Sequence, residues 1–170
     1  MKRVSAALGS ALFLVVAPGT LAGYVPWWIS RWRMEPPFFA TPATRAVGLL
    51  LIVLGIPVLL ESFARFATEG LGTPAPVAPP CRLVVRGFYR YVRNPMYVAV
   101  CSLILGQALM LGNLRLVRYS AIVWVSFHLW VLVYEEPTLR TTFGAEYEAF
   151  CARVPRWIPR FTPWNGGAPG

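Results

Sequence analysis

The stretch NPMYVAVCSLILGQALMLG (94–112), followed at once by NLRLVRYSAIVWVSFHLWVLVYEEP (113–137), decides the fold. Each half carries an apolar run suited to crossing a bilayer. Asn94 before Pro95 supplies a helix cap and a first helical residue with no N–H to lose. The brief turn over 113–118, carrying Arg115 and Arg118, predicts that these two spans double back as a tight antiparallel hairpin.

Working outward, two more apolar runs lie upstream, at about 4–29 and about 46–66. The first opens on Met1-Lys2-Arg3 and also resembles a secretory signal peptide. It continues through Trp27 and Trp28 to Ile29, past the end of a usual signal core, and the tryptophan pair suits a membrane interface, so a retained span is expected. In the second, Pro57 predicts a kink, and Glu61 and Arg65 are spaced for a helical ion pair. The glycine- and proline-rich 70–80 stretch reads as a loop, and 82–93 is basic and aromatic, as suits the headgroup layer. After Pro137, Leu139, Phe143, Tyr147, Phe150, Cys151 and Val154 recur at helical spacing. That pattern predicts a helix lying along the membrane surface and covering the open end of the bundle. The expected fold is an all-α integral membrane protein, with about four transmembrane helices plus a C-terminal amphipathic interfacial helix. It forms one domain over 1–170, with an N-terminal pair over 4–66 and a core over 83–160.

Composition agrees. Hydrophobic residues make up 56% and charged residues 14%, against about 25% charged in soluble domains, and mean hydropathy is +0.54. The net charge is +9, with Lys2 the only lysine and no aspartate. The arginines flank apolar runs instead of forming one stripe, which argues against nucleic acid and for anionic lipid headgroups. Lys2, Arg3, Arg65, Arg82, Arg86, Arg90, Arg93, Arg140, Arg153, Arg156 and Arg160 fall on one side. Arg31, Arg33, Arg45, Arg115 and Arg118 fall on the other. The richer side is cytoplasmic by the positive-inside rule, so both termini are expected in the cytoplasm. Cys81, Cys101 and Cys151 are scattered and odd in number, suggesting neither a disulfide framework nor a metal site. Nothing in the sequence sets an oligomeric state.

Adjacent carboxylates at the end of a membrane helix oppose its dipole and cost energy at depth. Glu135 and Glu136 have two readings: a polar boundary where Pro137 starts a new helix, or a pair facing a cationic ligand. Asn94 and Tyr97 likewise read as a cap and an interfacial aromatic, or as part of a site. His128, seven residues before Glu135 and so on nearly the same face, could be a base, a tunnel residue or an interhelical hydrogen-bonding group. Arg140, one turn beyond the doublet, could neutralise an anion or sit on an exposed face. Trp124 and Trp130 read as packing or lipid-facing residues.

Taken in order, Gly87-Phe88-Tyr89, Arg93-Asn94-Pro95-Met96-Tyr97, Gly106-Gln107, Glu135-Glu136, Phe143-Gly144, Tyr147 and Val154-Pro155…Ile158-Pro159 resemble the isoprenylcysteine carboxyl methyltransferase family. Its pattern runs Gly-x-Tyr, Arg-His-Pro-x-Tyr, Gly-Thr-Gln, Glu-Glu, Phe-Gly-x-x-Tyr and Val-Pro…Pro. The related phosphatidylethanolamine N-methyltransferases share parts of it, including the Glu-Glu pair. The likeness covers about 83–160.

The resemblance implies a cytoplasm-facing pocket for S-adenosylmethionine, closed by the C-terminal segment, and a lipid-side entrance for the acceptor. Tyr97, Gly106, Gln107, Glu135 and Glu136 would line the cofactor pocket, with Arg93 and Pro95 shaping its rim. Asn94 stands where the family has histidine, keeping hydrogen-bonding capacity without the titratable ring. Glu135, Glu136 and Arg140 are the candidate catalytic residues. The implied function is methyl transfer to a hydrophobic or lipid-like acceptor (a carboxylate, amine or thiol). Such a displacement needs alignment and exclusion of water more than a nucleophilic side chain or a metal. A membrane reductase using NADPH, of the sterol-reductase type, and a non-catalytic membrane protein are the alternatives; the Glu-Glu pair favours methyl transfer.

Overall fold

In a bilayer every backbone donor and acceptor needs a partner inside the protein, and helices supply them within one segment. The computed structural model describes residues 15–69 and 83–165, and among these there is no strand. The segment bearing the signal-peptide alternative (1–14), the 70–80 loop and Cys81 lie outside the described residues. Helix α1 is described from residue 15, passes through a π-helical turn at Thr20–Tyr24, and ends as Val25–Ser30. Helix α2 is Ala43–Glu69, α3 is Pro95–Leu111 and α4 is Leu114–Trp130. A second π turn, Val131–Glu135, carries α4 without a break into α5, Glu136–Phe143, and α6 follows as Ala145–Arg153.

Among the described residues, two helical stretches are long and apolar enough to cross a membrane. They are Ala43–Arg65, with mean hydropathy 2.3, and Leu114–Phe143, with mean hydropathy 1.6. Only 28% and 22% of these windows are buried inside the protein. A soluble core helix of that composition would be mostly covered. Here Val47, Leu50, Val53 and Leu54 of α2, with Ile122, Val125 and Leu129 of α4, point outward. The protein is therefore an all-helical, membrane-associated one. Helix α3 is also apolar but shorter.

Glycine lets α2 and α3 touch backbone to backbone. A Cβ on Gly106 would stand 2.7 Å from the Gly48 carbonyl oxygen and 2.8 Å from Ile52 Cγ1. One on Gly48 would stand 2.6 Å from the Gly106 carbonyl oxygen. Without water to expel, close approach of small residues is what binds such helices. Gly106→Val is expected to force them apart at a cost of about 1–3 kcal/mol or more. Thermal unfolding in detergent checks this; an unchanged midpoint would contradict the close packing.

The α3–α4 hairpin forms as expected, but its turn is tighter. Gly112 takes a left-handed conformation at the C-cap (φ 72°), and Asn113 Oδ1 accepts from Leu116 N at 3.1 Å. Arg115 and Arg118 thus lie within α4, not in a turn. Helix α2 runs on through Pro57, and the Glu61–Arg65 ion pair forms at 2.8 Å.

Three other expectations change. Pro137 does not begin a separate helix, because the π turn before it continues the chain helically from α4 into α5. The amphipathic region is broken at Gly144, whose φ is 51°. The apolar face of α6 packs on protein: Tyr147, Phe150 and Val154 form a core with Leu83, Val85, Leu139, Phe143 and Trp164.

Candidate functional site

The two π turns share a cause. Each ends two residues before a proline, Tyr24 before Pro26 and Glu135 before Pro137. A proline ring removes one donor and crowds the carbonyl four residues back, and a widened turn relieves that crowding. At the second turn the widening hands the acidic doublet to two different places.

Glu135 faces inward. Its Oε2 accepts from the Tyr97 hydroxyl at 2.8 Å, and Tyr97 stacks on Phe127 with ring centroids 4.5 Å apart. Glu136 turns toward the C-terminal segment and is 5% exposed. Arg156 Nε and Nη2 donate to its two oxygens at 2.6 and 3.0 Å, and Arg93 Nη1 donates at 3.1 Å. A carboxylate so buried needs this charge-assisted pairing to offset its lost hydration.

Arg93 precedes α3, and the chain after α6 is strapped across it. Arg93 N donates to Pro155 O at 2.9 Å, Arg160 N to Tyr91 O at 3.0 Å, and Trp164 N to Arg90 O at 3.0 Å. Asn94 sits at the N-cap position, yet its side chain does not cap the helix. Its amide instead donates to Arg156 O at 3.1 Å. Arg93 Nη1 also reaches Cys151 Sγ at 2.9 Å, while its buried Nε has no hydrogen-bond partner.

Beside these groups opens a cavity of about 680 Å³, its mouth included. Its polar lining is Tyr89, Arg93, Asn94, Tyr97 and Glu135; its apolar lining is Phe63, Met96, Val100 and Phe127, with Ala17, Pro18 and Leu21 of α1. Burial, then the nearby Glu135 and Glu61 carboxylates, push the Tyr89 phenol well above its ordinary pKa, so it remains a neutral hydroxyl. A largely apolar concavity with a few convergent polar groups is the usual character of a small-molecule site.

The sequence-derived residues divide accordingly. Tyr97, Glu135, Arg93 and Asn94 meet at the cavity, Pro95 is the buried first residue of α3, and Glu136 lies just behind Arg93. Gly106 and Gln107 do not reach it. Gly106 is used where α2 and α3 touch, and Gln107 Nε2 donates to Ala22 O of α1 at 2.7 Å. Arg140 is outside, with Nε 3.1 Å from Glu148 on a face where both side chains are more than half exposed. His128 bonds neither to the cavity nor to another membrane helix: its Nδ1 accepts from Trp157 Nε1 at 3.0 Å, and it stacks on Trp124. Arg156 is the important residue that sequence reasoning missed. Its signal was the basic residue after Val154-Pro155, set against a buried carboxylate that requires a cation.

A family model described as phospholipid methyltransferase matches residues 43–146. The chain belongs to this family. Among curated proteins, this phospholipid methyltransferase family member is similar to the protein-S-isoprenylcysteine O-methyltransferase of Schizosaccharomyces pombe. The two are 37% identical over 78 residues, which is 45% of this chain and 33% of that protein. Similarity to protein-S-isoprenylcysteine O-methyltransferase B of Arabidopsis thaliana is 32% over 79 residues, 46% of this chain and 40% of that protein. The chain thus matches less than half the length of these relatives. No solved structure matches this chain. The likeness drawn from the motifs is borne out at the level of family.

Proposed function

We propose that this protein transfers a methyl group from S-adenosylmethionine to a hydrophobic or lipid-like acceptor at the cytoplasmic side of a membrane. The observation that carries the reading is the cavity in which Glu135, Tyr97, Asn94 and an incompletely bonded Arg93 converge at the end of a membrane-type helix pair. When bound, the cofactor supplies a methyl carbon activated on a sulfonium. The donor set suits such a group. Glu135 answers positive charge, and the Arg93 Nε–H is free for a carboxylate. Tyr97 holds Glu135 in place and Phe127 holds the Tyr97 ring, so the carboxylate is oriented before any ligand arrives.

The chain's own contribution to the reaction is alignment and dryness. The strap over 155–164 and the apolar wall from α1, α2 and α3 keep water from the polar lining. Glu136, wholly engaged by Arg93 and Arg156, positions Arg93 and ties down the strap; it is not assigned to the cofactor. The acceptor's carboxylate, amine or thiol meets the polar lining while its tail lies among the apolar residues. The names of the relatives, which specify isoprenylcysteine, support an amphiphilic acceptor.

The test is direct. Detergent-purified protein is expected to bind labelled S-adenosylmethionine saturably, with no comparable affinity for NADPH, and to move label into a total lipid extract. Preferential NADPH binding would replace this reading with a reductase. Label appearing only in water-soluble products would contradict the amphiphilic acceptor.

A further inference from the structure

Helix α1 carries a defect that the rest of the bundle repairs. In its π turn Val25 N–H bonds back to Thr20 O. The next donor in register would come from residue 26 to Leu21 O, but Pro26 has no N–H. In α-helical register the same proline would have served Ala22 O. These two carbonyls are the ones taken by side chains from other helices. The Tyr119 hydroxyl of α4 donates to Leu21 O at 3.0 Å, and Gln107 Nε2 of α3 donates to Ala22 O at 2.7 Å. Gln107 is itself held, donating to Leu103 O at 3.1 Å and accepting from Trp32 Nε1 at 3.2 Å.

The consequence is positional. The turn so anchored is the one that presents Leu21, and one turn earlier Ala17, to the cavity as part of its apolar lining. Ala17 is small and Leu21 is large, so the wall they form steps inward toward Leu21. We propose that α1 is the wall that selects the acceptor's apolar tail. Ala17 and Leu21 set the tail length admitted, and Gln107 and Tyr119 are positioning residues that hold the wall by bonding the carbonyls of Leu21 and Ala22 that Pro26 leaves without a backbone donor. This rests on the methyl-transfer reading above, and it concerns the tail alone, whatever group accepts the methyl.

The experiment uses the full chain in lipid nanodiscs, photolabelled with a fatty acid bearing a tail diazirine and competed by a homologous series of straight-chain fatty acids. Labelled S-adenosylmethionine binding is measured in parallel. In the wild type, labelling is expected on α1 and α3 peptides and to be displaced with a clear optimum of chain length. Leu21→Trp should move that optimum to shorter acids, costing the long ones about two buried methylenes, or roughly a tenfold weaker competition. Leu21→Ala should move it the other way. The Gln107→Leu/Tyr119→Phe double variant should flatten the length profile while keeping cofactor affinity, an outcome that a general loss of folding would not give.

Identical profiles in the wild type and both Leu21 variants would overturn the proposal, as would wild-type labelling that no fatty acid displaces. Failure of the wild type to bind S-adenosylmethionine would instead sink methyl transfer and leave the length profile readable, so the two failures are told apart.

Discussion

Glu135→Gln is expected to lower S-adenosylmethionine affinity and methyl transfer by about two orders of magnitude while leaving the protein folded. The amide keeps an oxygen that can accept from the Tyr97 hydroxyl, so the 2.8 Å hydrogen bond and the Tyr97–Phe127 stack survive. What disappears is the negative charge facing the cavity. A hydrogen bond to a charged group is worth about 1.5–3 kcal/mol, and about 2.8 kcal/mol corresponds to a hundredfold change in affinity. Binding of labelled cofactor, alongside thermal unfolding in the same detergent, separates the effects. An unchanged dissociation constant in a normally folded variant would remove Glu135 from the site.

Glu136→Leu should do the opposite: a large stability loss with function failing as a consequence. Three N–H groups from two arginines converge on this carboxylate at 2.6–3.1 Å. Arg93 is the more vulnerable partner, since its side chain is 11% exposed and its Nε already lacks a hydrogen bond. Leaving a buried charge uncompensated costs about 3–5 kcal/mol, enough to lower the unfolding midpoint by on the order of 10 °C. Arg156→Ala should cost less, because Arg156 is 30% exposed and water can replace part of what is lost. The strap over 155–164 should become protease-sensitive in both variants. A Glu136→Leu protein as stable as the wild type would mean that the three-way ion pair contributes nothing net.

These expectations separate what local pattern could reveal from what it could not. Apolar runs bounded by Gly112-Asn113 and by Asn94-Pro95 gave the hairpin, because length and end residues are local quantities. The meeting of Tyr97 with Glu135 followed from motif order. The division of labour within the doublet did not, since it depends on a π turn, and one inserted residue of helical register leaves no hydrophobic signature. Pro137 read equally well as a helix start. Gly106 and Gln107 match one of the motifs that carry the resemblance, although a glycine in an apolar helix is as well suited to backbone contact as to a ligand. The apolar stripe of α6 was correctly periodic, but periodicity does not say whether lipid or the Leu83–Val85 segment covers it.

The strap also orders events during synthesis. Arg93 and Asn94 leave the ribosome long before their C-terminal partners, Asn94 preceding the Arg156 carbonyl that it binds by 62 positions. The apolar helices between them can form and pair while that gap is open, and the charged corner is finished only once Arg156 has been added. A nascent chain arrested short of residue 156 would hold an assembled hairpin in which Glu136 has Arg93 but not the paired N–H groups of Arg156, a state suited to recognition by membrane quality control.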